Sequence, residues 1–239
     1  MFLYGPAGSG KTFLAESLVR VIHGTICVPD AFVVEGEIVQ IFDPIIHQPV
    51  NAESAQFMRN SIDNRQRTDG RWVACHRPVA ISGGELTLSM LDLNYDRRAG
   101  FYQAPMHIKA NNGLYIIDDL GRQLVRPEEL MNRWIVPMDR RRDYLSLHTG
   151  GSFEVPFDIK LVFSTNISPK TLADEAFLRR LGYKIHVDAV SHEEYEQIFR
   201  GVCSEFDITF SREAFAYLLD MHRREGRPTF ACYPRDLIS

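Results

Sequence analysis

At 239 residues, with 45% hydrophobic and 24% charged side chains, the chain can hold one large domain or a core with a small satellite. A net charge of -4 supplies no global attraction to nucleic acid or an anionic membrane. Cys27, Cys75, Cys203 and Cys232 form no Cys-x-x-Cys pair, which argues against a zinc site or disulfide framework and for a reducing cytoplasmic setting. No apolar run is long enough to span a bilayer, and no signal peptide is expected ahead of Phe2.

The chain opens with a short apolar strand, Phe2 to Tyr4, and then Gly5-Pro6-Ala7-Gly8-Ser9-Gly10-Lys11-Thr12. This is the Gly-x-x-x-x-Gly-Lys-Thr spacing of a phosphate loop. Gly5, Gly8 and Gly10 let the backbone fold into a nest of N–H groups, and a helix starting near Lys11 turns its positive end toward the same point. Lys11 is expected to reach the outer phosphates of a nucleoside triphosphate, and the Thr12 hydroxyl to ligate Mg²⁺. Leu14, Leu18, Val21 and Ile22 predict one apolar helical face, ended by Gly24.

Beyond that helix, Ala31 to Phe42 reads as a hairpin around Glu35-Gly36-Glu37, and Asn51 to Arg67 as a polar helix. Trp72 to Ala74 and Pro78 to Ser82 read as strands, followed by a helical segment from Leu86 to Leu93. The stretch Tyr95 to Pro105 sets aromatics beside Gly100, Arg97 and Arg98. It reads either as an ordinary loop whose aromatics pack on the core or as a contact surface.

Leu114-Tyr115-Ile116-Ile117 is an apolar strand ending in Asp118 and Asp119, the form of a Walker B element. Asp118 is placed to hold Mg²⁺ mostly through its water, and Asp119 to polarise the attacking water. A Glu is usual at that second position, so Asp119 is one methylene shorter. Arg126-Pro127-Glu128-Glu129 opens a helix, Arg140 to Arg142 is a basic run, and Thr149 to Ser152 turns a β-hairpin. A second buried strand, Lys160 to Thr165, ends in Asn166 at a sheet edge where ligands bind. A short helix finishes in Arg179-Arg180; the pair either complements the helix dipole or reaches a neighbouring subunit's nucleotide. From Ser191 the pattern is helical, with a Ser191–Glu194 capping box and a face of Tyr195, Ile198, Phe199, Val202 and Phe206. The strand at residue 2 and the helix just opening at Asp236 are expected to mark a piece of a longer protein.

Taken together, these elements resemble an AAA+ ATPase over nearly the whole chain. The matching parts, in order, are the phosphate loop, the Walker B strand, a first-sensor Asn166, an arginine-finger segment at Arg179 and Arg180, and a second-sensor segment at Tyr233-Pro234-Arg235-Asp236. The layout is nearest to the MoxR-like, helix-2-insert branch that also includes bacterial enhancer-binding activators. In that setting the Gly100 to Gln103 loop becomes a candidate partner-contacting element.

The resemblance implies a three-layer α/β P-loop NTPase domain over residues 1–189, with 25–76 an insertion, and a partial helical lid over 190–239. It implies ATP and Mg²⁺ on Lys11, Thr12 and Asp118, with Asp119 and Asn166 at the water and Arg235 reaching the phosphates from the lid. Arg180, with Arg179 in reserve, enters in trans, which implies a homo-oligomeric, hexameric ring acting on an unnamed protein partner. An ATP-gated assembly switch with little turnover remains the alternative, because of Asp119. A DNA-acting motor or loader has only the arginine clusters in its favour, and a P-loop kinase would leave Asn166 and the arginine pair without a role.

Overall fold

The computed structural model describes residues 1–50, 69–172 and 175–238, so the helix expected over Asn51 to Arg67 lies outside the described residues. The first part holds β1 (Phe2–Tyr4), α1 (Lys11–Ser17), β2 (Thr25–Pro29), β3 (Ala31–Val34), β4 (Glu37–Gln40), β5 (Trp72–His76) and β6 (Val79–Ser82). Then come β7 (Asn94–Asp96), β8 (Phe101–Gln103), α2 (Met106–Lys109), β9 (Leu114–Ile117), α3 (Pro127–Arg140), β10 (Arg142–Ser146), β11 (Ser152–Pro156) and β12 (Lys160–Thr165). The chain continues with α4 (Pro169–Leu172), α5 (Glu175–Arg180) and β13 (Lys184–His186), followed by α6 (His192–Glu205), α7 (Arg212–Glu225) and α8 (Tyr233–Ile238).

Five strands form a wholly parallel sheet in the order β13-β1-β12-β9-β6. Side chains alternate across a strand, so each central strand feeds two cores. Phe2, Tyr115, Ile117, Leu161 and Phe163 face one side, where Leu130, Met131 and Trp134 of α3 and Phe177 of α5 cover them. Leu3, Leu114, Ile116 and Val162 face the other, under Ala15 and Leu18. Helices therefore cover both faces, giving the expected three-layer α/β architecture.

A second, β-rich core stands beside the sheet. It joins β2 and β5, the sheet β3-β4-β8-β7, and the hairpin β10–β11. Tyr102 is almost wholly buried there, its hydroxyl accepts the His148 N–H at 2.9 Å, and Tyr95 stacks on the His148 ring. The residues read as a loop from Tyr95 to Pro105 thus contain a β-hairpin that packs Tyr95 and Tyr102 inward and leaves its tip, Asp96 to Gly100, exposed. Two other expectations change. Leu14 is exposed where it lines a cleft, and Val21 is exposed because the α-helix stops at Ser17 and a tighter 3-10 turn, Leu18–Val21, rotates the following face. Leu86 to Leu93 contains only a 3-10 turn at Leu88–Leu91. In the C-terminal helices the Ser191–Glu194 capping box forms, whereas Phe206 is exposed at the end of α6.

A buried ionic network ties hairpin to helix. Arg133 of α3 donates to both carboxylate oxygens of Asp143 at 2.7 and 2.8 Å, and His107 Nε2 donates to the same carboxylate at 2.8 Å. Burial raises the Asp143 pKa, and the bonds from His107 and Arg133 outweigh it, taking the group to about 2. Burial lowers the His107 pKa against the pull of Asp143, so the ring is neutral and the carboxylate charged. Both groups thus bind protons more readily unfolded than folded, so stability is present above the unfolded pKa values and lost as pH falls. This network's contribution to the thermal midpoint, read as the difference between wild type and Asp143→Asn, should be full above pH 6.5, shrink below it as unfolded His107 is protonated, and shrink again below pH 3.8 toward 2 as Asp143 titrates. Asp143→Asn should cost about 3 kcal/mol in denaturant unfolding by stranding Arg133; an unchanged midpoint would show the network to be dispensable.

Candidate functional site

The parallel order brings the carboxyl ends of β1, β9 and β12 to one edge, above which a cleft of about 830 Å³ opens. The phosphate loop leaves β1 through Gly5, whose φ of 149° and close packing exclude a side chain: an added Cβ would lie 1.9 Å from the Val187 carbonyl oxygen. Gly8 and Gly10 also take positive φ, 81° and 92°. Lys11 is 6% exposed, and its ammonium donates to the Gly5 and Pro6 carbonyls at 3.0 and 2.7 Å and to Ser9 Oγ at 3.5 Å. Burial lowers the Lys11 pKa, with Asp118 and Asp119 pulling it back up.

Thr12 Oγ1 donates to Asp118 Oδ2 at 2.9 Å, joining the loop to the acid strand. Asp118 is held by its own N–H, which donates to the Ser82 carbonyl at 2.8 Å. Asp119 follows with φ of 50°, a left-handed backbone that costs about 1 kcal/mol in a non-glycine residue. Its N–H donates to Asp118 Oδ1 at 3.0 Å. Asn166, just past β12, lines the same cleft as Lys11, Asp118 and Asp119. From the opposite wall Arg235 of α8 lines it too, its guanidinium paired with both Glu205 oxygens at 2.7 and 2.6 Å. The Cys232 N–H donates to the Gly8 carbonyl at 3.2 Å, so the C-terminal helices rest on the phosphate loop.

The arginine pair is elsewhere within the subunit. Arg180 Nε is 2.8 Å from both oxygens of Asp139, and its side chain borders a separate cavity of about 410 Å³ with Met138 and Leu181. Arg179 pairs with Glu175 at 3.2 Å on the surface. Sequence reasoning did not name Gln123, Glu205, Cys232, Ile198 or Val202 as site residues, though they support or line the cleft. The apolar spacing of α6 marked Ile198 and Val202 as core residues; no motif marks Gln123, which bonds Gly121 and Asp118 nearby and Gly83 at a distance of 40 residues, or Glu205, whose partner Arg235 is 30 residues away.

A divalent cation fits beside the loop. The Thr12 hydroxyl and Asp118 carboxylate adjoin, both hard oxygen donors. Among the described residues no group of three or more His, Cys, Asp or Glu could hold a metal by itself. A cation here would draw its remaining ligands from phosphate and water, which is the habit of Mg²⁺.

In fold the chain is similar to NtrX from Brucella abortus, at 13% identity and a TM-score of 0.56 over 99% of this chain and 43% of that one. NtrX in complex with ADP gives 14% and 0.52 over the same shares. A chain from the complex between the BchI and BchD subunits of magnesium chelatase gives 17% and 0.52, over 95% of this chain and 65% of that one. The chain has a three-layer α/β P-loop NTPase fold with helices at its C-terminal side. It spans less than half of NtrX and about two thirds of the chelatase chain. Residues 191–239 match a domain of unknown function, DUF8689, and no curated protein matches the sequence. Among the described residues no helix is long and apolar enough to cross a membrane.

Gly5 is the loop's least replaceable position, because its clash would be with backbone. Gly5→Ala should destabilise by about 2–4 kcal/mol, lowering the melting midpoint by roughly 5–10 °C. A midpoint within about 1 °C of wild type would show that the Val187 segment moves aside freely.

Proposed function

We propose that the chain binds ATP with Mg²⁺ in this cleft and hydrolyses it to ADP and phosphate. In this reading it works as a ring oligomer, hexameric by resemblance, that remodels a protein partner or complex. The observation that carries the reading is the meeting of Lys11, the Thr12–Asp118 pair and Asp119 at one end of the parallel sheet. NtrX with ADP, and a chain from the BchI–BchD complex, supply independent support for nucleotide and for assembly in proteins of this fold. Residues 1–189 are then the nucleotide-binding domain, with 25–76 an insertion, and 190–239 part of a lid.

Magnesium, when bound with ATP, neutralises charge on the phosphate oxygens. The chain's residues do the rest. The nest from Gly5 to Gly10 cradles the phosphates, and Lys11 exchanges its carbonyl partners for phosphate oxygens. Thr12 and Asp118 hold the cation directly and through water. Asp119 accepts a hydrogen bond from the attacking water and aligns it, and Asn166 fixes the water's position. Arg235, released from Glu205, contacts the phosphates and couples their loss to movement of α6 and α8. Arg180 serves the neighbouring subunit's nucleotide, in keeping with its place away from the cleft of its own chain. Each group acts by position and charge, so removing one should cost turnover more than folding.

A second reading, an ATP-gated switch with slow turnover, is favoured by one feature: Asp119 lacks a methylene and sits on left-handed backbone. Both readings require nucleotide; they differ in rate.

Trans completion has a direct test. Arg180→Ala and Asp119→Asn should each lower turnover by about 100-fold or more. Mixed in equal amounts they should recover activity, because roughly a quarter of the interfaces then pair an intact acid with an intact arginine. Mixtures no more active than the separate variants would sink the trans role of Arg180.

A further inference from the structure

The turn after the acid strand must hold two carboxylates in place while reversing the chain. On one side β12 holds it: the Leu120 N–H donates to the Ser164 carbonyl at 2.8 Å, and Thr165 Oγ1 donates to the Leu120 carbonyl at 2.6 Å. On the other side the neighbour is β6, where the Asp118 N–H donates to the Ser82 carbonyl at 2.8 Å and the side chain of Gln123 adds a second link. Its Oε1 accepts the Gly121 N–H at 2.8 Å, while Nε2 donates to the carbonyls of Asp118 and Gly83, each at 3.1 Å. The residue is 9% exposed, and these bonds use both donor hydrogens of the amide and one acceptor site. Its orientation is set by its partners, since a flipped amide would turn oxygen toward two carbonyl oxygens.

We propose that Gln123 is a positioning residue for the metal and water sites, acting through the backbone of Asp118 and Gly121. The inference rests on the ATP reading given above. A carboxylate one methylene short cannot correct a misplaced backbone by changing rotamer, so Asp119 depends on where its turn is held. Beyond the Asp118–Ser82 backbone bond, Gln123 braces that turn at Gly121 from the β6 side, and through Gly83 joins it to the segment that leads into the β7–β8 hairpin. It touches no reacting atom.

Two near-isosteric variants test this. Gln123→Met keeps length and burial and removes all three bonds; Gln123→Glu keeps the acceptor and sets a carboxylate against two carbonyl oxygens. Melting curves establish that each variant is folded. The first readout needs no hydrolysis: the gain in affinity for a fluorescent ADP analogue on adding Mg²⁺. That gain should shrink by about 10-fold or more in both variants, as expected when a group supporting a metal ligand is lost, while Mg²⁺-free affinity stays within about twofold. The second is turnover, which should fall by about 10- to 100-fold with KM changed by less than about threefold. Folded variants that keep the wild-type Mg²⁺ gain and kcat would overturn the proposal and leave Gln123 as packing. A wild-type protein that binds no nucleotide would instead sink the ATP reading and the role of Gln123 with it.

Discussion

Thr12 and Asp118 are separated by 106 positions and meet at 2.9 Å. That contact depends on β12 lying between β1 and β9 in a parallel sheet, which sends the phosphate loop and the acid turn out of the same edge. An antiparallel arrangement would put them at opposite ends. The continuous apolar runs of β1, β9 and β12 therefore position the chemistry, because they fix which strands are central and buried on both faces.

Helix α3 links the parts that surround this edge. It begins four residues beyond Gln123, and its middle holds the base of the β10–β11 hairpin through Arg133 and Asp143. Its last turn carries Asp139, the partner of Arg180. The hairpin in turn packs its Leu145 and Val155 into the β-rich core with Val39 and Tyr102. One helix, packed by Leu130, Met131 and Trp134 against the sheet, thus touches the acid turn's flank, the hairpin and the arginine segment. The charge buried between Arg133 and Asp143 makes that junction specific in register, since a slipped hairpin would strand both groups.

Much of the fold was legible in the sequence because local patterns agreed with tertiary ones. The phosphate loop has fixed spacing, the central strands are continuous apolar runs, and the Thr149 to Ser152 turn has the glycines a hairpin needs. What was not legible depends on long-range packing. Tyr102 follows Gly100 and Phe101 in a stretch with no clear strand alternation and read as a loop residue, yet the neighbouring β4 and His148 bury it. The apolar face expected on α1 fails at Leu14, which lines the cleft, and at Val21, after the helix tightens. In the site, residues named by motif were accessible to sequence reasoning. Gln123 and Glu205 were not, because their roles lie in hydrogen bonds to groups up to 40 residues away that no spacing records.

Calorimetric titration of ATP into the protein with and without Mg²⁺, set beside Lys11→Ala, addresses the central claim most directly. Binding at one site per chain, strengthened by Mg²⁺ and lost in Lys11→Ala, is the expected result. No binding to the wild type, or equal binding to both proteins, would contradict the assignment of this cleft to a nucleoside triphosphate.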